Sequence, residues 1–144
     1  FGYQVETNGY PYAHLVLRGT MNGPNYGAEY LHEAAALFVK NKIQNPAILV
    51  DASHDNSRIN GVKDCTNQPM VIKEVLAAMS VNPELKKLVK GFMIESFIKT
   101  GNQKVEAATV ESIDRGGLSI TDQCLGWDET EKLIRDMIKL YSNS

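Results

Sequence analysis

Three apolar runs alternate with three amphipathic stretches along the chain, and this alternation limits the fold more than any other feature. Strands that alternate with helices form a parallel sheet with right-handed crossovers, which is an α/β architecture. The runs are apolar throughout, as is typical of strands covered on both faces. The predicted elements are, in order, strand 13–19, helix 28–41, strand 46–53, helix 69–80, strand 88–97 and helix 128–141.

The residues before the first predicted strand, 3–13, predict a β-hairpin. Asn8-Gly9 is a strong two-residue turn signal, although Pro11 complicates the register of the hairpin. The segment between the third strand and the last helix predicts a long loop with room for a small hairpin. Because no linker interrupts the pattern, we expect one unit over 1–144, with the hairpin in 1–13 and three βα units in 14–144.

Composition excludes several classes of protein. The chain of 144 residues is 43% hydrophobic and 22% charged, so it can build a packed core. Its formal net charge of −2 argues against a general nucleic-acid binder. It has no apolar run near the roughly 20 residues that span a bilayer, and its first residues lack the features of a signal peptide. Two cysteines without close spacing make a disulfide framework improbable and favour the cytoplasm.

Polar side chains concentrate where the predicted strands end. The stretch "VDASHDNSRIN", 50–60, follows the apolar run of the second strand directly. Arg18 ends the first strand, Glu95 lies near the end of the third, and Asp122 lies in the long loop. Ligands of parallel α/β folds bind at the carboxyl ends of the strands. These side chains therefore predict the rim of a functional site.

Two interpretations of these side chains are open from the residues alone. His54, Glu95 and Asp122 offer an imidazole and two carboxylates, which suit Mn²⁺, Fe²⁺, Zn²⁺ or Co²⁺ and leave coordination positions for water or substrate. The alternative is a histidine and two acids on solvated loop ends. Arg18 suits a phosphate or carboxylate through paired hydrogen bonds, or else forms an ordinary salt bridge at a strand end.

The remaining distinctive residues predict structural roles. We expect His32 on a solvated helix surface and His14 in a structural position early in a strand. Cys65 and Cys124 are typical of small core residues. Trp127 is expected to anchor the last helix, whose acidic first turn favours helix formation.

Several motifs, in order, carry a resemblance to a known family. "HLVLRG", "PNYG", "LVDASHDNS", "GFMIES", "GNQ", "GLSITDQCLGW" and the closing helix resemble the C-terminal part of the type I 3-deoxy-D-arabino-heptulosonate 7-phosphate (DAHP) synthases, in their phenylalanine- and tyrosine-regulated branch. The resemblance covers nearly the whole chain. It implies a partial (β/α)₈ TIM barrel, namely the last three βα units with the hairpin before them.

The resemblance also implies a reaction and its residues. Family enzymes condense phosphoenolpyruvate with erythrose 4-phosphate, the first step of the shikimate pathway to aromatic amino acids. His54, Glu95 and Asp122 match three of the four ligands of the family's divalent metal, Mn²⁺ or a similar ion. Arg18 matches the residue that holds the phosphate of phosphoenolpyruvate. The resemblance gives His54 a second, catalytic role in contact with that substrate.

Departures from the family pattern limit what this chain is expected to do alone. The family's fourth ligand, a Cys after its first strand, and its "KPRTS"-type motif have no counterpart here, and neither Cys65 nor Cys124 matches the missing ligand. Phe97 stands where the family often has His, and Thr20 where it often has Gly. We therefore expect an inactive portion of an enzyme, and the sequence leaves open whether the metal binds to this chain alone. The alternative is a non-catalytic truncated paralogue that acts as a binding or regulatory partner.

The partial barrel has a further consequence for partners. Three parallel strands cannot close a barrel, so two strand edges and one sheet face would be open, and such surfaces favour self-association. We expect no nucleic-acid or membrane partner. The first residue is Phe rather than Met, so the sequence leaves open where the native chain begins.

Overall fold

The computed structural model describes residues 2–105 and 111–142. Two short 3₁₀ turns lie at His54–Ser57 and Cys65–Asn67. The strands are β1 Leu15–Leu17, β2 Ile48–Asp51, β3 Arg58–Ile59, β4 Val62–Lys63 and β5 Val89–Met93. The helices are α1 Ala28–Lys40, α2 Gln68–Val81, α3 Pro83–Leu88 and α4 Trp127–Ser142.

The main sheet is parallel, with the strand order β1-β2-β5. β2 lies in the centre, with Leu17 paired to Val50 on one side and Asp51 paired to Met93 on the other. The predicted alternation of strands and helices is confirmed, although each strand is shorter than its apolar run. The carboxyl ends of all three strands therefore lie along one edge of the sheet.

Each helix follows from local sequence signals. α1 buries Leu31, Ala34 and Ala35 on one stripe. Pro69 lies in the first turn of α2, where its missing N–H costs nothing. Asn82 caps α3, because its side chain accepts hydrogen bonds from the backbone N–H groups of Glu84 and Leu85.

The core lies on one face of the sheet, where the helices pack. Ile48, Val50, Leu31, Ile72 and Leu85 are completely buried there. The other face, formed by Val16, Leu49, Gly91 and Met93, is not fully covered by the described residues, and Met93 is exposed. We call these four residues the open sheet face. Among the described residues, the expectation from the apolar runs that both faces are covered is therefore wrong, whereas the expectation of one open face for three strands agrees with the structure.

The predicted hairpin at 3–13 is not formed. Residues 2–14 contain no strand, and the large side chains among them, such as Tyr3, Val5 and Tyr12, are exposed. An isolated two-stranded hairpin is marginal in water, and Pro11 lacks the N–H that a strand ladder needs. The Asn8-Gly9 turn signal is not sufficient to form a hairpin, because this segment has no sheet face to pack against.

A different hairpin forms in a segment that the sequence predicts to be a loop. β3 and β4 pair antiparallel around Asn60-Gly61, with φ angles of 51° and 82° at these two residues. Two consecutive left-handed residues define the tight turn that favours Asn-Gly. The flanking Ile59 and Val62 complete the signal, which could have been found from the sequence.

Some of the predictions for the remaining distinctive residues agree with the structure, and others do not. His32 is exposed on α1, as predicted, and both cysteines are buried. His14 lies just before β1 and is exposed. Trp127 begins α4 but is 59% exposed, so an anchoring role through burial of its ring is wrong. The described part of the long loop forms single bridges, such as Gly101 with Cys124, rather than a hairpin.

None of the described helices combines the length and apolar character required to cross a lipid bilayer.

Candidate metal centre

The end of β2 fixes the orientation of His54. Asp51 is 1% exposed, and its Oδ1 accepts a hydrogen bond from the backbone N–H of Ser53. Its Oδ2 lies 2.7 Å from Nδ1 of His54. An ionised carboxylate beside Nδ1 favours the proton on that nitrogen, which leaves the lone pair of Nε2 for a metal. Asp51 was part of the predicted rim, but this role was not predicted.

His54 itself has a backbone conformation that few residues adopt. Its φ is +50°, in the left-handed region. This conformation costs about 1 kcal/mol or more in a residue other than glycine, and such strain concentrates at functional sites. The hydrogen bonds around His54 hold its backbone in this conformation.

The structure brings His54, Glu95 and Asp122 together. Nε2 of His54 lies 3.7 Å from Oε1 of Glu95 and 3.7 Å from Oδ2 of Asp122. One ligand atom from each residue lies within 4.8 Å of those of the other two. The side chains are 16%, 35% and 46% exposed, so the group opens to solvent on one side. We call these three residues the triad.

The donor chemistry of the triad fits a divalent metal ion. An imidazole with its second nitrogen bonded to a carboxylate, beside two further carboxylates, is a common ligand arrangement for first-row transition metals. Three ligands on one side leave open positions for water or substrate. The solvated-loop alternative explains neither the buried Asp51 nor the convergence of the three ligand atoms.

Asn56 ties the ends of two neighbouring strands together. It is 1% exposed, and its Nδ2 donates to the backbone oxygens of Leu17 at 3.0 Å and Asp51 at 2.8 Å. Its Oδ1 accepts from the backbone N–H of Asn25 at 2.8 Å. This clamp joins the ends of the neighbouring strands β1 and β2 next to the turn that carries His54. The polar cluster in the sequence predicts a functional rim but does not indicate this role of Asn56.

Arg18 lies beside the triad rather than within it. Its Nε is 3.7 Å from Oδ2 of Asp51, and its side chain is 58% exposed. Gly19 has a φ of +80° and packs so closely on Asp55 that an added Cβ would lie 2.6 Å from the backbone carbon of Asp55. This close approach brings Arg18 to the rim of the triad, where its guanidinium remains accessible to an anion.

Two basic residues on the β3–β4 hairpin also reach this rim. Arg58 donates to Oδ1 of Asp55 at 2.7 Å, and this hydrogen bond holds the pKa of Asp55 below its ordinary value. Nζ of Lys63 lies 4.0 Å from Oδ1 of Asp122. The β3–β4 hairpin, which the sequence pattern did not predict, therefore supplies positive charge next to the triad.

Cys124 lies next to Glu95, but neither cysteine is part of the triad. Sγ of Cys124 is 3.9 Å from Oε2 of Glu95. Burial raises the pKa of the Cys124 thiol, and burial likewise raises the pKa of Cys65. Both thiols are therefore mainly protonated near neutral pH, which agrees with the prediction that they are core residues.

Comparisons with known proteins give consistent results. The family model described as "DAHP synthetase I family" matches residues 2–135. A Tyr-sensitive phospho-2-dehydro-3-deoxyheptonate aldolase from Enterobacter agglomerans is 35% identical over 133 residues, which are 92% of this chain and 57% of that protein. A putative phospho-2-dehydro-3-deoxyheptonate aldolase from Schizosaccharomyces pombe is also 35% identical, over 92% of this chain and 34% of its own length.

A solved structure agrees with these matches. The phospho-2-dehydro-3-deoxyheptonate aldolase from Francisella tularensis superimposes with a TM-score of 0.79 at 28% sequence identity. The superposition covers 94% of this chain and 36% of that one. The chain thus spans between about a third and somewhat more than half the length of these relatives.

Proposed function

The chain belongs to the DAHP synthetase I family, and from this premise we propose that it is the C-terminal part of an enzyme that condenses phosphoenolpyruvate with erythrose 4-phosphate. The observation that carries the proposal is the convergence of His54, Glu95 and Asp122 within 4.8 Å. By the motif resemblance, all three positions correspond to the family's metal ligands, and their ligand atoms lie close together in the fold. The reaction opens the shikimate pathway.

The architecture supports a partial barrel. Three parallel strands in the order β1-β2-β5, each followed along the chain by a helix, fit the last three βα units of a (β/α)₈ barrel. The open sheet face would then be part of the barrel interior. We propose that residues 1–144 form a single unit, of which 14–144 are the three βα units.

The triad would hold a divalent metal, Mn²⁺ or a similar ion, together with a ligand from the rest of the enzyme. When bound there, such an ion supplies Lewis acidity toward the aldehyde oxygen of erythrose 4-phosphate. Asp51 keeps the Nε2 lone pair of His54 available for this site.

Arg18 would bind the phosphate of phosphoenolpyruvate. A guanidinium presents paired donors that match the geometry of a phosphate, and that of Arg18 is 58% exposed at the rim. His54 would contact the same substrate from the triad. Holding the two anionic substrates in a reactive orientation lowers the barrier by saving entropy at the transition state.

The open sheet face and the free edges of β1 and β5 favour association with further polypeptide. In the proposed enzyme, the remaining strands of the barrel cover them. In the isolated chain, we propose that copies associate through these surfaces. The cytoplasmic location expected from the cysteines stays a prediction.

A complementation assay tests the proposed function. Loss of phosphoenolpyruvate is followed with erythrose 4-phosphate and Mn²⁺, with and without EDTA, for the chain alone and co-expressed with a relative from which the matched third has been removed. We expect no turnover by the chain alone and EDTA-sensitive turnover by the pair. Glu95→Gln should abolish turnover by the pair, whereas Asp136→Asn on the exposed face of α4 should retain it. A soluble pair without turnover would contradict the proposed enzymatic function and would favour the alternative of a non-catalytic binding partner.

A further inference from the structure

Gln68, the first residue of α2, directs a buried side-chain amide at the backbone of Glu95. It is completely buried, with an exposed fraction of 0%. Its Nε2 donates to the backbone oxygen of Glu95 at 3.0 Å, and its Oε1 accepts from the backbone N–H of Glu95 at 2.9 Å. Both hydrogen bonds of the amide therefore go to a single residue of the triad.

Glu95 needs such a partner because it lies beyond the sheet. The pairing of β2 with β5 ends at Met93, two residues earlier. The amide of Gln68 donates and accepts as a strand backbone would, so it takes the place of a strand partner for both backbone groups of Glu95. On the same residue, the backbone N–H of Leu125 donates to the oxygen of Glu95 at 3.0 Å. Glu95 is thus held by α2 and by the loop that carries Asp122.

An amide at this position would be unfavourable if the side chain only filled space in the core. Burying an amide loses hydration that only well-made hydrogen bonds repay. The buried positions that follow on α2, Val71, Ile72 and Val75, are all apolar. An apolar side chain of similar length would fill the same space, but it could not bond to both backbone groups of Glu95.

We propose that Gln68 is a positioning residue for the metal centre, which holds the backbone of Glu95 so that its carboxylate points toward Nε2 of His54. This inference rests on the proposed metal site. Gln68 follows the 3₁₀ turn Cys65–Asn67 on the segment that leads from His54, so it links the loop of one ligand to the backbone of another. The link sets the spacing between Glu95 and His54.

The test is a Mn²⁺ titration of the whole 144-residue chain, followed by the electron paramagnetic resonance signal of free Mn²⁺. Gln68→Met keeps the volume and removes both hydrogen bonds. We expect it to raise the dissociation constant for Mn²⁺ by about 10–100-fold, as loss of an outer-shell partner does in other metal sites. Val75→Ala destabilises the same helix without touching the triad and should leave the constant within about twofold of the unmodified chain.

Different outcomes separate this inference from the proposed function. Saturable binding with the same constant in Gln68→Met and the unmodified chain would overturn the inference alone. Absence of saturable binding by the unmodified chain would overturn the metal site and the inference together.

A measurement on the unmodified chain keeps the inference testable if Gln68→Met does not fold. The backbone N–H of Glu95 should exchange with solvent as slowly as those of β5, because Gln68 takes the place of a strand partner. Exchange at the rate of an exposed loop would overturn the inference.

Discussion

At the scale of single residues, the candidate site depends on hydrogen bonds that aim the ligands. Asp51 holds the imidazole of His54, and Asn56 joins the ends of β1 and β2. Both side chains are almost completely buried, so each hydrogen bond forms away from competing water. These partners determine whether the three ligands can act together.

Replacing Asp51 tests this arrangement. In Asp51→Asn, the amide can donate to Nδ1 of His54, which moves the ring proton to Nε2 and removes the lone pair that a metal needs. We expect Mn²⁺ affinity to fall about 10–100-fold. The same change in an exposed ion pair, Asp136→Asn on α4, should leave the affinity unchanged. Equal affinities in a titration of both variants would show that Asp51 does not control the tautomer.

The cysteines allow a second prediction at this scale. Burial raises the pKa of both Cys65 and Cys124, so little thiolate exists near neutral pH. We expect both thiols to react slowly with a disulfide reagent in the folded chain and rapidly in denaturant. The absorbance of the released thiol measures both rates. Rapid reaction in the folded chain would mean that one thiol is exposed.

The sequence allowed prediction of the ligands but not of the residues that aim them. His54, Glu95, Asp122 and Arg18 were found through the ends of apolar runs and through motifs. Gln68 and Asn56 act on backbone atoms 27 and 39 positions away, and backbone atoms carry no sequence signature. Only the folded chain shows which buried amide meets which strand end.

At the scale of elements, the two Asn-Gly pairs show when a turn signal is sufficient. Asn60-Gly61 forms the β3–β4 hairpin, whereas Asn8-Gly9 forms none. The first pair lies between β-branched residues next to the 3₁₀ turn at His54–Ser57, and the second is followed by Pro11. A turn signal therefore predicts a hairpin only when both flanking segments can pair and have neighbours to contact.

Two glycines have similar φ angles but differ in how closely they are packed, so a comparison of their variants separates the effect of conformational strain from that of close packing. Gly61 has a φ of +82° and nothing within 4 Å of an added Cβ, whereas Gly19 has a φ of +80° and lies against Asp55. We expect Gly61→Ala to lower the free energy of unfolding by about 1–2 kcal/mol through strain alone. Gly19→Ala should cost about 2–4 kcal/mol because the clash with Asp55 adds to the strain.

Urea unfolding of both variants measures this difference. Gly19→Ala should also displace Arg18 from the rim, which Gly61→Ala should not do. Equal losses of stability in the two variants would contradict the close contact between Gly19 and Asp55.

The start of α4 supports a prediction about pH. Hydrogen bonds from the Thr100 hydroxyl and from the backbone N–H of Gly126 hold the pKa of Glu129 below its ordinary value. A lowered pKa in the folded state means that ionised Glu129 stabilises the fold above its unfolded pKa. That stabilisation is lost as the pH falls through the folded pKa.

Glu129→Gln should therefore lower the free energy of unfolding by about 0.5–1 kcal/mol near neutral pH, in the range of a helix cap. The difference from the unmodified chain should shrink below about pH 4. Urea unfolding across this pH range checks the result. A difference that stays constant with pH would show that the charge of Glu129 plays no part.

At the scale of the whole molecule, one face of the main sheet is well packed, and the other, the open sheet face, is not. The helices cover the face of the sheet with Ile48 and Val50, while the described residues cover the open sheet face only in part, and β1 and β5 are the edge strands of the sheet. The sequence predicted the alternation of elements well, because period and length identify buried strands and helices. The apolar runs alone do not show which face is covered, because an apolar run reads the same whether its partner belongs to this chain or to another polypeptide. The open face was expected only from the number of strands, since three are too few to close a barrel.

Light scattering of the purified chain tests whether the open sheet face and the strand edges cause self-association. We expect a mass above that of the 16.0 kDa monomer, increasing with concentration. A folded monomer at all concentrations would contradict self-association. Co-expression with the missing part of a relative should reduce the association, because the same surfaces would then be covered.

The central claim is that His54, Glu95 and Asp122 form a metal site within this chain, and a Mn²⁺ titration tests it most directly. The unmodified chain, His54→Ala and His32→Ala are compared, since His32 is a histidine exposed on α1 away from the triad. The account predicts saturable binding by the unmodified chain and by His32→Ala, and its loss in His54→Ala. Absence of saturable binding in the unmodified chain, or an unchanged isotherm in His54→Ala, would contradict it.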